Sequence, residues 1–228
     1  MRPVCSMRYH KNNQFAFSHW SKWFKMPKVK LTYFDLRARG EPCRLLLAYG
    51  GIKYEDERIP WEYPFGPDST WSKLKPTIPF GQLPILNWDG VEICQSMACA
   101  RFIAREVGLA GNTSIEQAMV DEIVDVIQDL VNVWIKLYVT QDKAGLKNFH
   151  DVTLQTALGQ LEKKLISQGG QYFVGNNLTW ADLHVFMYLG ELYKKSYCKY
   201  PKLCDLFERV GNIPKIKIWV DTRPKSVI

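Results

Sequence analysis

PTIPFGQLPILNWDGVEICQSMACARFIARE, residues 76–106, decides the fold. Two short apolar runs, Leu83 to Trp88 and Val91 to Cys94, flank Asp89-Gly90, a pair suited to the left-handed backbone of a two-residue hairpin turn. The chain then enters a helix at Gln95-Ser96. Met97, Ala100, Phe102, Ile103 and Val107 give that helix a largely apolar face, and Ser96 is the expected N-cap. A helix N-terminus with free N–H groups beside a hydroxyl receives a carboxylate or phosphate readily. Pro84 leads the first strand, which suits an edge strand or a special turn and not a central strand interior.

Upstream, Val29 to Phe34 alternates apolar and polar residues as a strand does. Glu41-Pro42 opens a helix that runs to Tyr49 and closes at Gly50-Gly51, and Tyr54 to Ile59 is a second strand. Strand, helix, strand, short helix, hairpin and helix is the order of a thioredoxin-like α/β domain, in which a right-handed crossover joins parallel strands before the antiparallel hairpin. Downstream, Gly108 to Asn112 is a short linker, and the composition then turns helical. From Ile115 to Tyr138 an apolar stripe runs through Val120, Ile123, Val124, Ile127, Leu130, Val131, Trp134, Leu137 and Tyr138, with Asp121, Asp125, Gln128, Asp129 and Asn132 on the polar face. Val152 to Ser167 is a second long amphipathic helix. Thr179-Trp180-Ala181-Asp182 is a capping-box variant, and Pro201 to Val210 and Ile213 to Val220 complete an all-α second domain.

The composition excludes several classes. The chain has 228 residues of which 46% are apolar, too many for a disordered protein. No run approaches the roughly 18 apolar residues of a membrane span. The six cysteines form neither CxxC pairs nor metal-ligand spacings with the four histidines, so they read as reduced thiols of a cytoplasmic protein. A net charge of +7 invites a nucleic-acid reading, but its location argues against one. Arg2, Arg8, Lys11, Lys22, Lys25, Lys28 and Lys30 precede the first acid, Asp35, and setting those seven aside leaves 23 basic and 23 acidic residues. Two readings fit residues 1–25: a disordered basic extension ahead of a natural start at Met26-Pro27, or an aromatic, acid-free targeting segment of mitochondrial type.

PFGQLPIL, the Asp-Gly turn and QSMACARFIARE occur together with KLTYFDLRARGEPCR at Lys30 to Arg44, LAGNTSIEQAMVDEIVD at Leu109 to Asp125, NNLTWADLH at Asn176 to His184, and a final PKIKIWVDTRP. In that order these blocks resemble the cytosolic glutathione transferases, and most nearly the sigma class, which includes the haematopoietic prostaglandin D synthases. The likeness covers roughly residues 26–228. It implies a thioredoxin-like glutathione-binding domain over 26–107, an all-helical domain over 114–228, and a homodimer. It also implies glutathione as co-substrate for conjugating or isomerising small hydrophobic electrophiles, in detoxification or as a prostaglandin isomerase or peroxidase. Neither nucleic acid nor membrane is an expected partner.

The resemblance also assigns residues. Tyr33 matches the catalytic tyrosine and Arg39 the arginine that supports it. Gln95 and Ser96 match the γ-glutamyl site, Gln82 and the Leu83 backbone before a cis Pro84 match the cysteinyl main chain, and Trp71 and Lys75 match the glycyl carboxylate. Asp129 matches an aspartate that reaches the neighbouring subunit's glutathione, while Gln128 replaces a second aspartate, so no metal is expected. Taken alone, Tyr33 would be a packing residue, Lys75 a surface lysine and Gln82 a loop residue. The segment PWEYPFGPDST between Ile59 and Trp71 is longer than the sigma pattern by several residues. It is either a neutral surface insertion or a border of the ligand cleft in which Trp61, Tyr63 and Phe65 cover a hydrophobic substrate. Leu36, Trp134 and the C-terminal segment are the expected lining of the hydrophobic pocket. A ligand-binding or crystallin-like structural protein on the same fold is the alternative function; retention of Tyr33, Arg39, Gln95 and Ser96 counts against it.

Overall fold

The structure is a computed structural model that describes residues 26–192 and 199–226; the two readings of residues 1–25 fall outside them. Its first unit is built on a four-stranded sheet in the order β2-β1-β3-β4, where β1 is Val29–Phe34, β2 Tyr54–Ile59, β3 Ile85–Trp88 and β4 Val91–Cys94. β1 runs parallel to β2, with Val29 opposite Tyr54, and antiparallel to β3, with Thr32 opposite Ile85. Being paired on both sides, β1 is buried at five of its six positions, so the alternation expected of it gives way at Phe34, which is buried like Tyr33. β2 is an edge strand, and its run of Glu55, Asp56, Glu57 and Arg58 keeps that edge charged. The hairpin forms as the sequence implies, with Asp89 and Gly90 at φ 50° and 89° and strands that begin only after Pro84.

Helix α1, Glu41–Gly50, starts at Pro42 and closes on Gly51 in the left-handed conformation. The short α2 is Thr70–Leu74, capped by Ser69, whose hydroxyl accepts the Ser72 N–H. α3, Ser96–Glu106, differs from expectation at its start. Gln95 is the cap residue and makes no side-chain cap bond, while Ser96 is already helical and buried. Its buried face consists of Ser96, Cys99, Ala100, Ile103 and Ala104; Met97, Phe102 and Val107 only flank it.

The second unit is all helical: α4 Ser114–Val139, α5 Lys143–Asn148, α6 Leu154–Ser167, α7 Trp180–Leu192, α8 Pro201–Gly211 and α9 Pro214–Thr222. A single π-helical turn, Phe149–Thr153, joins α5 to α6 and buries Phe149, so the helix expected from Val152 begins two residues later. In the capping segment, Asp182 is fully buried and accepts the Thr179 N–H at 2.7 Å, the Thr179 hydroxyl at 2.9 Å and the Phe173 N–H at 2.9 Å. Gln128 leaves the solvated face assigned to it: it is buried, and neither side-chain polar atom has a hydrogen-bond partner among the described residues. Among those residues no helix is long and apolar enough to cross a membrane. Cys43, Cys94 and Cys99 are free thiols.

Candidate active site

Tyr33 lies near the end of the central strand with its ring buried. The chain then turns through one 3-10 turn, Ala38–Gly40, which brings the Arg39 backbone N–H to 3.2 Å from the Tyr33 hydroxyl oxygen. A phenol that accepts at its oxygen keeps its own proton for another partner. Burial is the largest influence on the Tyr33 pKa and pushes it above the ordinary phenol value, outweighing the Arg39 N–H and the charges of Arg39 and Arg44. Tyr33 is therefore neutral at physiological pH and able to donate a hydrogen bond. Gly40 is required for this packing, because a Cβ there would stand 2.4 Å from Tyr33 Cδ1 and 2.7 Å from Cγ.

Two contacts from the helical unit hold the turn. The Arg39 guanidinium donates from Nη2 to Asn132 Oδ1 at 2.7 Å, and the Tyr188 hydroxyl donates to the Ala38 carbonyl at 3.3 Å. The sequence pattern places Asn132 on a solvated face and gives Tyr188 no distinction; both touch the site only because α4 and α7 pack beside this turn.

The hairpin supplies the opposite polar edge. Gln95, at φ 73° and ψ 118°, occupies a region that side chains rarely adopt, a kind of outlier that concentrates at ligand sites. Its side-chain amide donates to Gln82 Oε1 at 3.1 Å. The Leu83-Pro84 peptide is cis. With no side chain capping α3, the N–H groups of its first turn lack the usual intrahelical and capping partners beside this edge.

A cavity of about 890 Å³ opens between the two units. Tyr33, Arg39, Trp71, Gln82, Leu83, Gln95 and Ser96 all border it, as do Leu36 and Trp134 on the apolar side. Trp61, Tyr63 and Phe65 line it too, so the 60–70 segment borders the cleft and is not remote from it. Three assigned residues do not border it. Lys75 is exposed, with its stem 3.4 Å from where a Gly81 Cβ would stand; Pro84 is buried behind Leu83; Asp129 is exposed on α4 and makes no hydrogen bond or ion pair with the described residues. The C-terminal segment also departs from expectation. Described cavity residues end at Leu189, and α9 turns away to α1, where Trp219 Nε1 and Arg223 Nη1 donate to buried Glu41 Oε1 at 2.9 and 2.7 Å. Among the described residues no group of three or more His, Cys, Asp or Glu side chains is arranged to hold a metal ion.

Family models described as the N-terminal and the C-terminal domain of glutathione S-transferase match residues 29–105 and 125–223. The chain is 47% identical over 208 residues to the hematopoietic prostaglandin D synthase of Gallus gallus, covering 89% of this chain and 100% of that one. It is 37% identical over 214 residues to glutathione S-transferase 4 of Caenorhabditis elegans, with the same two coverages. Among solved structures, a monomeric glutathione S-transferase from the hookworm Necator americanus superposes with a TM-score of 0.78 at 32% identity, over 88% of this chain and 100% of that one.

Proposed function

The chain belongs to the glutathione S-transferase family, and from that premise we propose that Tyr33 is the residue that ionises the glutathione thiol in this cavity. The protein is a glutathione-dependent enzyme for conjugation or isomerisation. Glutathione supplies the sulfur nucleophile. A free thiol has a pKa near ~8.5, so most of it is protonated at neutral pH and something in the protein must favour the thiolate. The observation that carries the assignment is Tyr33 itself: its oxygen accepts the Arg39 N–H, its ring is buried and neutral, and the residue borders the cavity with a hydroxyl proton left to donate. A donor in that state bonds a thiolate better than a thiol and so lowers the thiol pKa. Arg39, held by Asn132, adds a fixed positive charge next to the developing negative one.

The remaining polar edge fits the ends of a small peptide. The uncapped first turn of α3 at Ser96, with the Gln95 amide, suits the γ-glutamyl carboxylate. Gln82 and the Leu83 backbone suit the cysteinyl main chain, and Trp71 stands toward the glycyl end. Lys75 is exposed and outside the cavity lining, so it gives that end no support here. The proposal extends to a cytoplasmic homodimer in which Asp129 approaches the neighbour's glutathione. Exposed Val126, Asp129 and Val133 at helical spacing on α4, and Phe80 at 81% exposure, support a face that a second copy covers.

The test is a spectrophotometric panel with glutathione and halonitrobenzene, enal, hydroperoxide and prostaglandin H2 substrates, the last chosen because of the Gallus gallus relative. Turnover of at least one is expected, and none with any would remove the proposal. Light scattering at micromolar concentration addresses the dimer separately; a monomer, as the hookworm relative is described, would remove the role of Asp129.

A further inference from the structure

Residues 60–70 bring three aromatic rings to one side of the cavity, and the way they are held distinguishes them from an ordinary surface loop. Phe65 stacks on Phe34 of β1, with centroids 5.6 Å apart and planes at 22°, and Trp61 meets Phe34 edge-on at 5.0 Å. Phe34 in turn meets the Trp71 ring of α2 at 5.1 Å. Polar contacts close the loop: the Thr70 N–H donates to Glu62 Oε2 at 2.8 Å, and the Ser72 hydroxyl donates to the Gly66 carbonyl at 2.8 Å. The segment is thus preformed, which lowers the ordering cost that a mobile loop would bring to binding.

Its outer rings are not satisfied by that packing. Trp61 and Tyr63 stack on each other with centroids 5.6 Å apart and planes at 12°, yet they stay 44% and 53% exposed while bordering the cavity. If these rings served only as a local core for the loop, they would be covered. The helical unit contributes a second flat pair to the lining of the same cavity, Trp134 and Tyr138 of α4, stacked at 5.0 Å and 16°. Aliphatic ligands gain only area burial on such walls, whereas a conjugated ring also gains the quadrupole match of offset or edge-to-face packing.

We propose that residues 60–70 are a substrate-selecting wall, and that the electrophile this enzyme prefers is flat and conjugated, lodged between the Trp61–Tyr63 pair and the Trp134–Tyr138 pair. This rests on the glutathione reading above and adds the chemical class of the second substrate. Each aromatic contact is worth about a 2–10-fold preference over an aliphatic group of similar area.

The experiment measures dissociation constants for two product analogues that share the glutathione half, S-(4-nitrobenzyl)glutathione and S-hexylglutathione. Wild-type protein is compared with Trp61→Leu, Tyr63→Leu and the conservative Trp61→Phe. The wild type should favour the nitrobenzyl conjugate. Either leucine variant should weaken that conjugate by about 3–10-fold and the hexyl conjugate by less than about 2-fold, with Trp61→Phe restoring most of the loss. Because both leucine sites are substantially exposed, unchanged hexyl binding also certifies the fold. Equal effects on the two conjugates, no effect on either, or a wild-type preference for hexyl would overturn the proposal. Failure of both conjugates to bind the wild type would instead overturn the glutathione reading beneath it.

Discussion

Replacing Tyr33 by Phe deletes one hydroxyl from a buried ring and separates the chemistry of that ring from its packing. The ring's contacts remain: Phe34 at 5.6 Å edge-on, the Arg44 guanidinium 5.7 Å from its centroid, and the close approach of Gly40. What is lost to the fold is the acceptor for the Arg39 N–H, a 3.2 Å bond. An ordinary hydrogen bond of that kind contributes about 1 kcal/mol, so for a chain of this size the melting temperature should fall by only about 2–4 °C. What is lost to the reaction is a donor to a charged sulfur, worth about 1.5–3 kcal/mol, and about 1.4 kcal/mol is tenfold. Turnover near neutral pH should therefore drop by about 10–100-fold. The apparent pKa of enzyme-bound glutathione should rise by about 1–2 units, read from thiolate ultraviolet absorbance against pH. Affinity for glutathione should change far less than turnover, because the hairpin edge and the start of α3 are untouched. Wild-type turnover with an unshifted thiol titration would reduce Tyr33 to a packing residue and refute the assignment; a large loss of stability would show that the hydroxyl is structural.

Gly40→Ala places a methyl 2.4 Å from Tyr33 Cδ1, and reaching ordinary contact moves the ring by about 1 Å; a displacement of that size costs on the order of 100-fold in turnover, so kcat should collapse while the hydroxyl is still present. His184, buried between Trp180 and Tyr188 with neither ring nitrogen partnered, has its pKa pushed by burial down to about 3. The unfolded chain takes up that proton as pH falls through ~6.5 and the folded chain only near 3. This stability is present above 6.5 and is lost by about 1.4 kcal/mol per unit as pH drops between them. His184→Phe should flatten that acid limb in urea titrations run at several pH values, and an unchanged limb would place its cause elsewhere.

How far the sequence carried depends on the range of the interactions that decide each feature. The hairpin, α1 and the strand order rest on local signals, Asp89-Gly90, Glu41-Pro42 and Gly50-Gly51, and those signals act within a few residues. Ser96 lies inside α3 and not at its cap because Gln95 takes a positive φ there, and no neighbouring residue type announces that strain. Gln128 and Asn132 sit on the polar side of a helical stripe by spacing alone. Tertiary packing buries the first and the 38–40 turn engages the second, neither of which the periodicity of α4 contains. Tyr188 meets Ala38 across 150 residues, a separation at which only the fold carries information. Tyr33, Arg39, Gln82, Gln95 and Ser96, which the family blocks single out by their joint order, all border the cavity. The 60–70 segment has no such counterpart, and its composition of rings left open whether they faced solvent or the cleft.

Three of the residues that tie the two units together, Ala38, Arg39 and Glu41, fall within four consecutive positions after the strand that carries Tyr33. Ala38 accepts from Tyr188, Arg39 donates to Asn132, Gly40 packs on Tyr33 itself, and Glu41 receives Trp219 and Arg223. The partners come from α4, α7, α9 and the residue just beyond α9, so three of the six helices bear on one turn of the other unit. Glu41 is almost fully buried, and a buried carboxylate stripped of its donors costs several kcal/mol. That penalty opposes any separation of the units and keeps the turn in the one conformation that sets the Arg39 N–H against the phenol. The helical unit therefore does more than wall the hydrophobic side of the cavity. By fixing residues 38–41 it holds the Arg39 N–H against the Tyr33 hydroxyl, so the proposed thiol activation and the proposed substrate wall would both depend on one interface.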